Sequence, residues 1–323
     1  MRRFGCLVLI AAVAIVGLLA GNFLYGWTAS GPLEAEKTVI IASGSSLSQA
    51  ARTLEQEGVL KSADGFLNRA RVFGGSEPIK AGEFNIPARA SNSQILSILQ
   101  GGQTVQRLVT IPEGTPSIIV HEKLMAEPLL TGEIPVPAEG SVLPDSYSFE
   151  RGEKRAAVLS RMQKAMQETM SELWPKKTAA SVVKTPEEAV ILASIVEKET
   201  AVASERRTVA AVYSNRVNRN MMLQADPTII YPITKGKPLG RRIRQSEIAA
   251  VNDYNTYSMV GLPKGPIANP GRASIEAVLN PVETEYLFFV ADGKGGHVFA
   301  RTLAEHNANV EKWFAIRRAR GEM

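Results

Sequence analysis

One cysteine and three histidines among 323 residues remove several classes of protein at the outset. The lone Cys6 can build neither a disulfide framework nor a cysteine-based zinc site. His121, His297 and His306 include no pair at metal-ligand spacing, so no catalytic metal is expected and no cofactor is implied. Aromatic residues are sparse at 6%, and the net charge is only +5, from 37 basic and 32 acidic residues spread along the chain. No recognised reader motif points to nucleic acid. The run Gly293 to Gly296 lacks the Gly-Lys-Ser/Thr ending of a phosphate loop. Hydrophobic content of 45% with 21% charged residues nevertheless fits a folded chain with room for two modest domains.

What the sequence does have is one long uncharged stretch, Gly5 to Trp27. At about 1.5 Å per residue it can cross a hydrocarbon core of roughly 30 Å. It predicts a membrane-spanning helix at 5–27 between a short tail, 1–4, and a stalk, 28–36. Arg2 and Arg3 precede the stretch and no basic residue follows closely, which places the N-terminus in the cytoplasm and the remaining chain outside. A cleaved signal peptide is the competing reading, with Thr28, Ala29 and Ser30 as its small-residue site. The length of the stretch and the interfacial Tyr25 and Trp27 favour the anchor. Cys6 precedes most of the apolar residues and is not placed for lipoprotein acylation.

Beyond it the pattern is mixed α and β, an α+β chain. "TVIIASGSSLSQAARTL" reads as strand, turn and helix, with Leu47, Ala50, Ala51 and Leu54 on one face. Phe66, Leu67 and Val72 predict the buried face of the next helix, and Leu108 to Leu124 loosely repeats the strand-to-helix pattern. Ile134 to Gly152, rich in Pro, Gly and Ser, reads as a connection. The methionine stripe between Ala156 and Leu173 has helical spacing and belongs in a core. Thr185, Pro186 and Glu188 combine an N-cap, a proline at N1 and a capping-box acid, so a helix starts there. "YLFFVADGKGGHVFA" predicts two strands joined by a glycine-rich turn, and the chain divides into 37–142 and 143–323.

The helix that starts at Thr185 ends in "ILASIVEKET", with Glu197 and Glu199 in an apolar run. Residues two apart on a helix differ by about 200°, so the two carboxyls cannot enter one cleft. Leu192, Ile195 and Val196 surround the direction of Glu199, whereas Glu197 shares its side with Val190, Ala193 and Ser194. Desolvation raises a carboxyl pKa, and a general acid needs its proton near neutral pH, which favours Glu199. The plainer alternative has Glu199 reaching water or pairing with Arg206 or Arg207.

The stretches "ASIVEKETAVASERRTVAAVYSNRV", "MMLQADPTIIY", "YNTYSMVGLPKGPIANPG" and "YLFFVADGKGGHVFARTLAEHN", in that order between Glu187 and Asn307, resemble the endolytic murein transglycosylases of the MltG (YceG-like) family. The apolar anchor and "IPEG" match as well. The resemblance implies a single-pass enzyme of the bacterial inner membrane with its catalytic domain in the periplasm. Such an enzyme cuts the MurNAc–GlcNAc β-1,4 bond within peptidoglycan strands without water and leaves 1,6-anhydromuramoyl ends. It also implies a LysM-like subdomain within 37–142 and, within 143–323, an α+β catalytic domain with a lysozyme-like site of one essential glutamate. That glutamate is the second of "EKET", Glu199. One carboxyl suffices because the sugar's own C6 hydroxyl replaces the second acid that glycoside hydrolases need.

Further sugar contacts are expected from the same stretches. Gln224, Asp226 and Thr228 alternate at strand spacing and would face one groove. Tyr254, Asn255, Thr256 and Tyr257 offer aromatic faces and polar groups, Asn215 and Arg216 either line the cleft or brace it, and Glu197 is a further candidate contact. Ser141 and Val142 stand where the family would have a more aromatic lead-in. By analogy the partners are peptidoglycan strands and the penicillin-binding synthases. Two other functions compete: a hydrolytic muramidase, which would recruit Asp226 as second carboxylate, and a non-catalytic wall-binding membrane protein.

Overall fold

The computed structural model describes residues 2–42 and 44–322, with residues 2–9 by backbone only. Met1 of the expected tail and the side chains of Arg2, Arg3 and Cys6 lie outside the described residues. The chain forms two compact units, Met1–Arg107 with Phe149–Arg151, and Leu108–Ser148 with Gly152–Met323.

The first unit begins with α1 (Arg2–Thr28), of which Ile10–Thr28, with mean hydropathy 1.8, is long and apolar enough to cross a membrane. There follow β1 (Lys37–Ile41), α2 (Leu47–Gln56), α3 (Ala63–Phe73), β2 (Gly82–Ile86) and α4 (Asn92–Gly101). The two strands pair antiparallel, Lys37 opposite Ile86 and Ile41 opposite Gly82. Ser46 and Ser91 start α2 and α4 with reciprocal capping boxes to Gln49 and Gln94, satisfying backbone donors that a helix start leaves orphaned. Ala50, Ala51 and Leu54 are buried with Val39, Phe66, Phe84 and Leu99. Val72 departs from expectation: the inner face of α3 runs Ala63, Phe66, Ala70, so a residue two beyond Ala70 faces the other way and is 64% exposed. Nor does 28–36 stand off as a stalk. Thr28 ends α1, the Gly31 amide donates to the Arg89 carbonyl at 3.1 Å, the Arg89 amide donates to that of Leu33 at 2.9 Å, and Leu33 packs on the unit's core.

The second unit contains the β3–β4 pair (Arg107–Thr110 with Ser146–Phe149) except for the end residues Arg107 and Phe149, and α5 (Ser117–Ala126), α6 (Arg155–Leu173), α7 (Pro186–Glu199) and α8 (Arg206–Asn218). After these come α9 (Asp226–Thr234), α10 (Gln245–Ile248), α11 (Arg272–Leu279), the antiparallel hairpin β5–β6 (Phe288–Ala291, His297–Ala300) and α12 (Leu303–Ala319). The division between units falls after Arg107, not after residue 142. The reason is an interlock of two turns that are distant in sequence. Gly114 donates its amide to the Asn269 carbonyl at 3.0 Å, and Asn269 Nδ2 donates to the Thr115 carbonyl at 2.9 Å and to Ser117 Oγ at 3.0 Å. Asn269 Oδ1 in turn accepts from the Val142 amide at 3.0 Å. Val142 is fully buried, so its side chain belongs to the core and not to a groove edge.

α7 is the axis of this unit. Thr185 caps it by accepting from the Glu188 amide at 3.2 Å, while the Glu188 carboxylate accepts from Lys184, one residue before the expected box partner. Ala189, Leu192, Ala193, Ile195 and Val196 have no exposed surface, and α7 packs against α8, α9 and α11. Both faces that the spacing distinguished are therefore buried, and burial alone does not choose between the two glutamates.

Candidate active site

The choice is made by what each carboxyl meets. Glu197 turns toward the start of α11, where its Oε2 accepts from the Gly271 amide at 2.9 Å and Oε1 lies 3.8 Å from Arg206. A carboxylate at a helix N-terminus, hydrogen-bonded and beside a guanidinium, is a structural brace. Glu113 of "IPEG" pairs with the same Arg206 at 3.2 Å and lies so close to Gly271 that a Cβ there would meet its carboxylate at 2.0 Å. Arg207 donates to the Asn280 carbonyl at 2.7 Å. Neither arginine is thus the partner of Glu199.

Glu199, the last residue of α7, opens into a cavity of about 270 Å³. Its Oε1 is buried and accepts no hydrogen bond from the described residues. The cavity is walled by Tyr213 and Arg216 from α8, Gln224 and Asp226 before and at the start of α9, Tyr257, Phe289 from β5 and His306 from α12. Burial pushes the Glu199 carboxyl up to about 7; the Tyr213 hydroxyl opposes this, the Asp226 charge adds to it and Arg216 opposes it. Its place at a helix C-terminus, where the macrodipole is negative, also disfavours ionisation.

The walls are fixed by backbone carbonyls. Arg216 donates from Nε to Leu287 and from Nη1 to Leu223, each at 2.7 Å, and its guanidinium lies 5.2 Å from the Phe288 ring centroid. Those bonds hold the arginine in the wall and tie α8 to the hairpin. The Tyr257 hydroxyl donates to Asp226 Oδ1 at 2.6 Å. Tyr213, 2% exposed, meets Phe289 edge-on at 5.9 Å. His306 stacks on Phe288 at 5.2 Å, and its buried Nδ1 has no hydrogen-bond partner among the described residues. Burial and then the Arg216 charge lower the His306 pKa, so the imidazole is neutral at pH 7.

Of the residues expected from the sequence, Glu199, Arg216, Gln224, Asp226 and Tyr257 meet in this cavity. The strand expected for 224–228 is absent. Pro227 fits the first turn of α9, which Asp226 opens, and Gln224 adopts φ 53°, so the alternation carries no shared face. Thr228 is fully buried, with its hydroxyl bonded to the Ala225 carbonyl at 2.6 Å and to Thr256 at 2.9 Å. Asn255 and Thr256 are buried inside the same turn structure, Tyr254 packs on Tyr231 at 4.9 Å, and Asn215 donates to the Thr284 and Tyr286 carbonyls at 2.8 and 3.0 Å. These four, like Thr228 and Glu197, brace the walls and do not line them. Tyr213, Leu223, Phe289 and His306 complete the lining. Only Tyr213 carried a sequence signal, since its i, i+3 relation to Arg216 puts both on one face of α8.

A solvent-shielded carboxyl at a helix end, ringed by tyrosine, arginine and histidine side chains, is an arrangement able to hold and pass on a proton. Residues 39–312 match the YceG-like family, and the chain belongs to it. A Bacillus subtilis protein named endolytic murein transglycosylase is 29% identical over 92% of this chain and 91% of its own length. A Streptococcus pneumoniae protein of the same name is 31% identical over 84% of this chain, which spans 57% of that longer relative. The crystal structure of a yceG-like protein from Listeria monocytogenes covers 84% of this chain and 98% of its own, with a TM-score of 0.53 and 27% identity.

Proposed function

We propose that the chain is an endolytic lytic transglycosylase of peptidoglycan, with Glu199 as its catalytic acid and base. The observation that carries this reading is the buried, unpartnered Oε1 of Glu199, in a carboxyl whose pKa is raised to about 7. Protonated Glu199 gives its proton to the glycosidic oxygen between MurNAc and GlcNAc, the C1–O bond breaks, and positive charge develops at C1 of MurNAc. The resulting carboxylate takes the proton of the C6 hydroxyl as O6 bonds to C1, closing the 1,6-anhydro ring and returning Glu199 to its starting state. The attack is intramolecular, so orientation replaces a second catalytic acid. Asp226, held by Tyr257, keeps the Glu199 proton in place and offers negative charge to the cation.

The relatives' printed name supports this reading, as does the order β1-α2-α3-β2 for a LysM-like first unit. α1 would anchor the chain in the bacterial cytoplasmic membrane with both units outside and the N-terminus in the cytoplasm. Penicillin-binding synthases are the partner class to test, by co-purification. Mass spectrometry of glycan digested in oxygen-18 water separates the functions. The expected ends are 1,6-anhydromuramoyl and unlabelled; labelled reducing ends would make the protein a muramidase, and uncut glycan a binder.

Two variants probe the walls. His306→Phe keeps a ring on Phe288 but removes the hydrogen-bonding nitrogen, and is expected to lower kcat/KM about tenfold with an unchanged melting temperature. Glu197→Gln is expected to weaken folding by about 1–2 kcal/mol in urea titration while leaving kcat within a few-fold, because its carboxylate braces α11 and never meets the sugar.

A further inference from the structure

The outer end of α1 is clamped to the first unit by polar and aromatic contacts. Arg69 of α3 donates from Nε to the Phe23 carbonyl at 3.0 Å and lies over the Phe23 ring at 5.2 Å; Asn92 Nδ2 donates to the Gly26 carbonyl at 2.9 Å. The guanidinium lies close over Gly26, where a Cβ would stand 2.3 Å from Arg69 Nη2 and would displace the arginine. Phe73 stands 5.7 Å from Phe23 and 5.8 Å from Trp27, ring to ring. α1 has 27 residues, about 40 Å at 1.5 Å per residue, against a hydrocarbon core of roughly 30 Å; with Arg2 and Arg3 among the inner headgroups, the outer edge of the core falls about 20 residues on, near Phe23. Phe73 packs on Phe23, so the last turn of α3 falls at the depth where headgroups meet acyl chains. There it exposes Val72 (64%) and Phe73 (37%), a pair continuous with the apolar surface of α1 and flanked by the exposed Arg71.

We propose that the C-terminal turn of α3 is a membrane-docking face: Val72 and Phe73 enter the outer-leaflet interface, with Arg71 toward lipid phosphates. This rests on the reading that α1 spans the bilayer. The face, together with the clamp, holds the first unit on the lipid surface in one orientation, with no free stalk to swing on. Apolar side chains with a neighbouring cation are the composition that binds a phospholipid interface.

The test uses the full chain with Cys6→Ser in nanodiscs of phosphatidylethanolamine and phosphatidylglycerol. A fluorophore is placed in turn at Val72→Cys, Leu19→Cys and Val251→Cys; all three positions are exposed, so labelling leaves the fold intact. The expected result is that nitroxide lipids labelled near the headgroup quench the position-72 probe several-fold more than the position-251 probe, while deep nitroxides quench position 19. Quenching at 19 with none at 72 beyond that at 251 overturns the docking face and leaves the span standing. No quenching at 19 removes the span, and the docking face with it.

Discussion

Glu199→Gln is expected to abolish glycan cleavage while making the protein more stable at neutral pH. General acid–base catalysis contributes about 10²–10⁴-fold, and one residue here serves both halves of the reaction, so the loss should be about a thousandfold or more. The stability gain has a fixed sign. The Glu199 carboxyl is raised from 4.5 to about 7 on folding, so the folded chain binds its proton more tightly than the unfolded one. The wild type therefore keeps its full stability below about 4.5 and loses part of it as pH rises to about 7, by about 3 kcal/mol in all. Glutamine never ionises and escapes that loss. Urea unfolding should give equal stabilities at pH 4 and a Glu199→Gln advantage that grows between pH 5 and 8. Full activity in Glu199→Gln, or an equal stability at every pH, would remove Glu199 from its role.

Asn255→Ala should behave in the opposite way, unfolding the protein without touching the chemistry. Its buried carboxamide donates to the Ile248 and Ala250 carbonyls at 2.9 and 2.6 Å and accepts from the Tyr257 amide at 3.0 Å. Truncation leaves three backbone groups unpaired out of water, each costing about 1–3 kcal/mol before relaxation, so a loss of about 2–4 kcal/mol is expected. Calorimetry checks the stability, and glycan titration of the folded fraction checks that KM stays within a few-fold. Normal stability with a raised KM would return Asn255 to the sugar-binding surface.

The contrast between these residues shows what the sequence could carry. Helix caps, the antiparallel hairpin and the opposed directions of Glu197 and Glu199 follow from local periodicity, and local periodicity is what a sequence displays. Polar residues near a cleft carry no such signal, because Asn, Thr and Tyr satisfy buried backbone groups as readily as they bind sugars. Asn215, Thr228, Asn255 and Thr256 all serve the backbone. At 224–228 polar residues alternate as they would in a strand, yet Pro227 suits a first helical turn and Gln224 takes a left-handed conformation. His306 and Phe289 reach Glu199 only through tertiary packing of α12 and β5. Nothing local announces them. The same holds for "IPEG", whose Gly114 and Glu113 lock onto residues 269–271 and carry the unit boundary with them.

Catalysis by Glu199 requires a carboxyl that keeps its proton near neutral pH. The most direct measurement is a carbon-13 NMR titration of glutamate side-chain carboxyls, with the Glu199→Gln spectrum used to assign the one resonance that disappears. A midpoint near about 7 is expected. A midpoint near 4.5, the ordinary glutamate value, would mean that Glu199 is ionised in the working enzyme and has no proton to give.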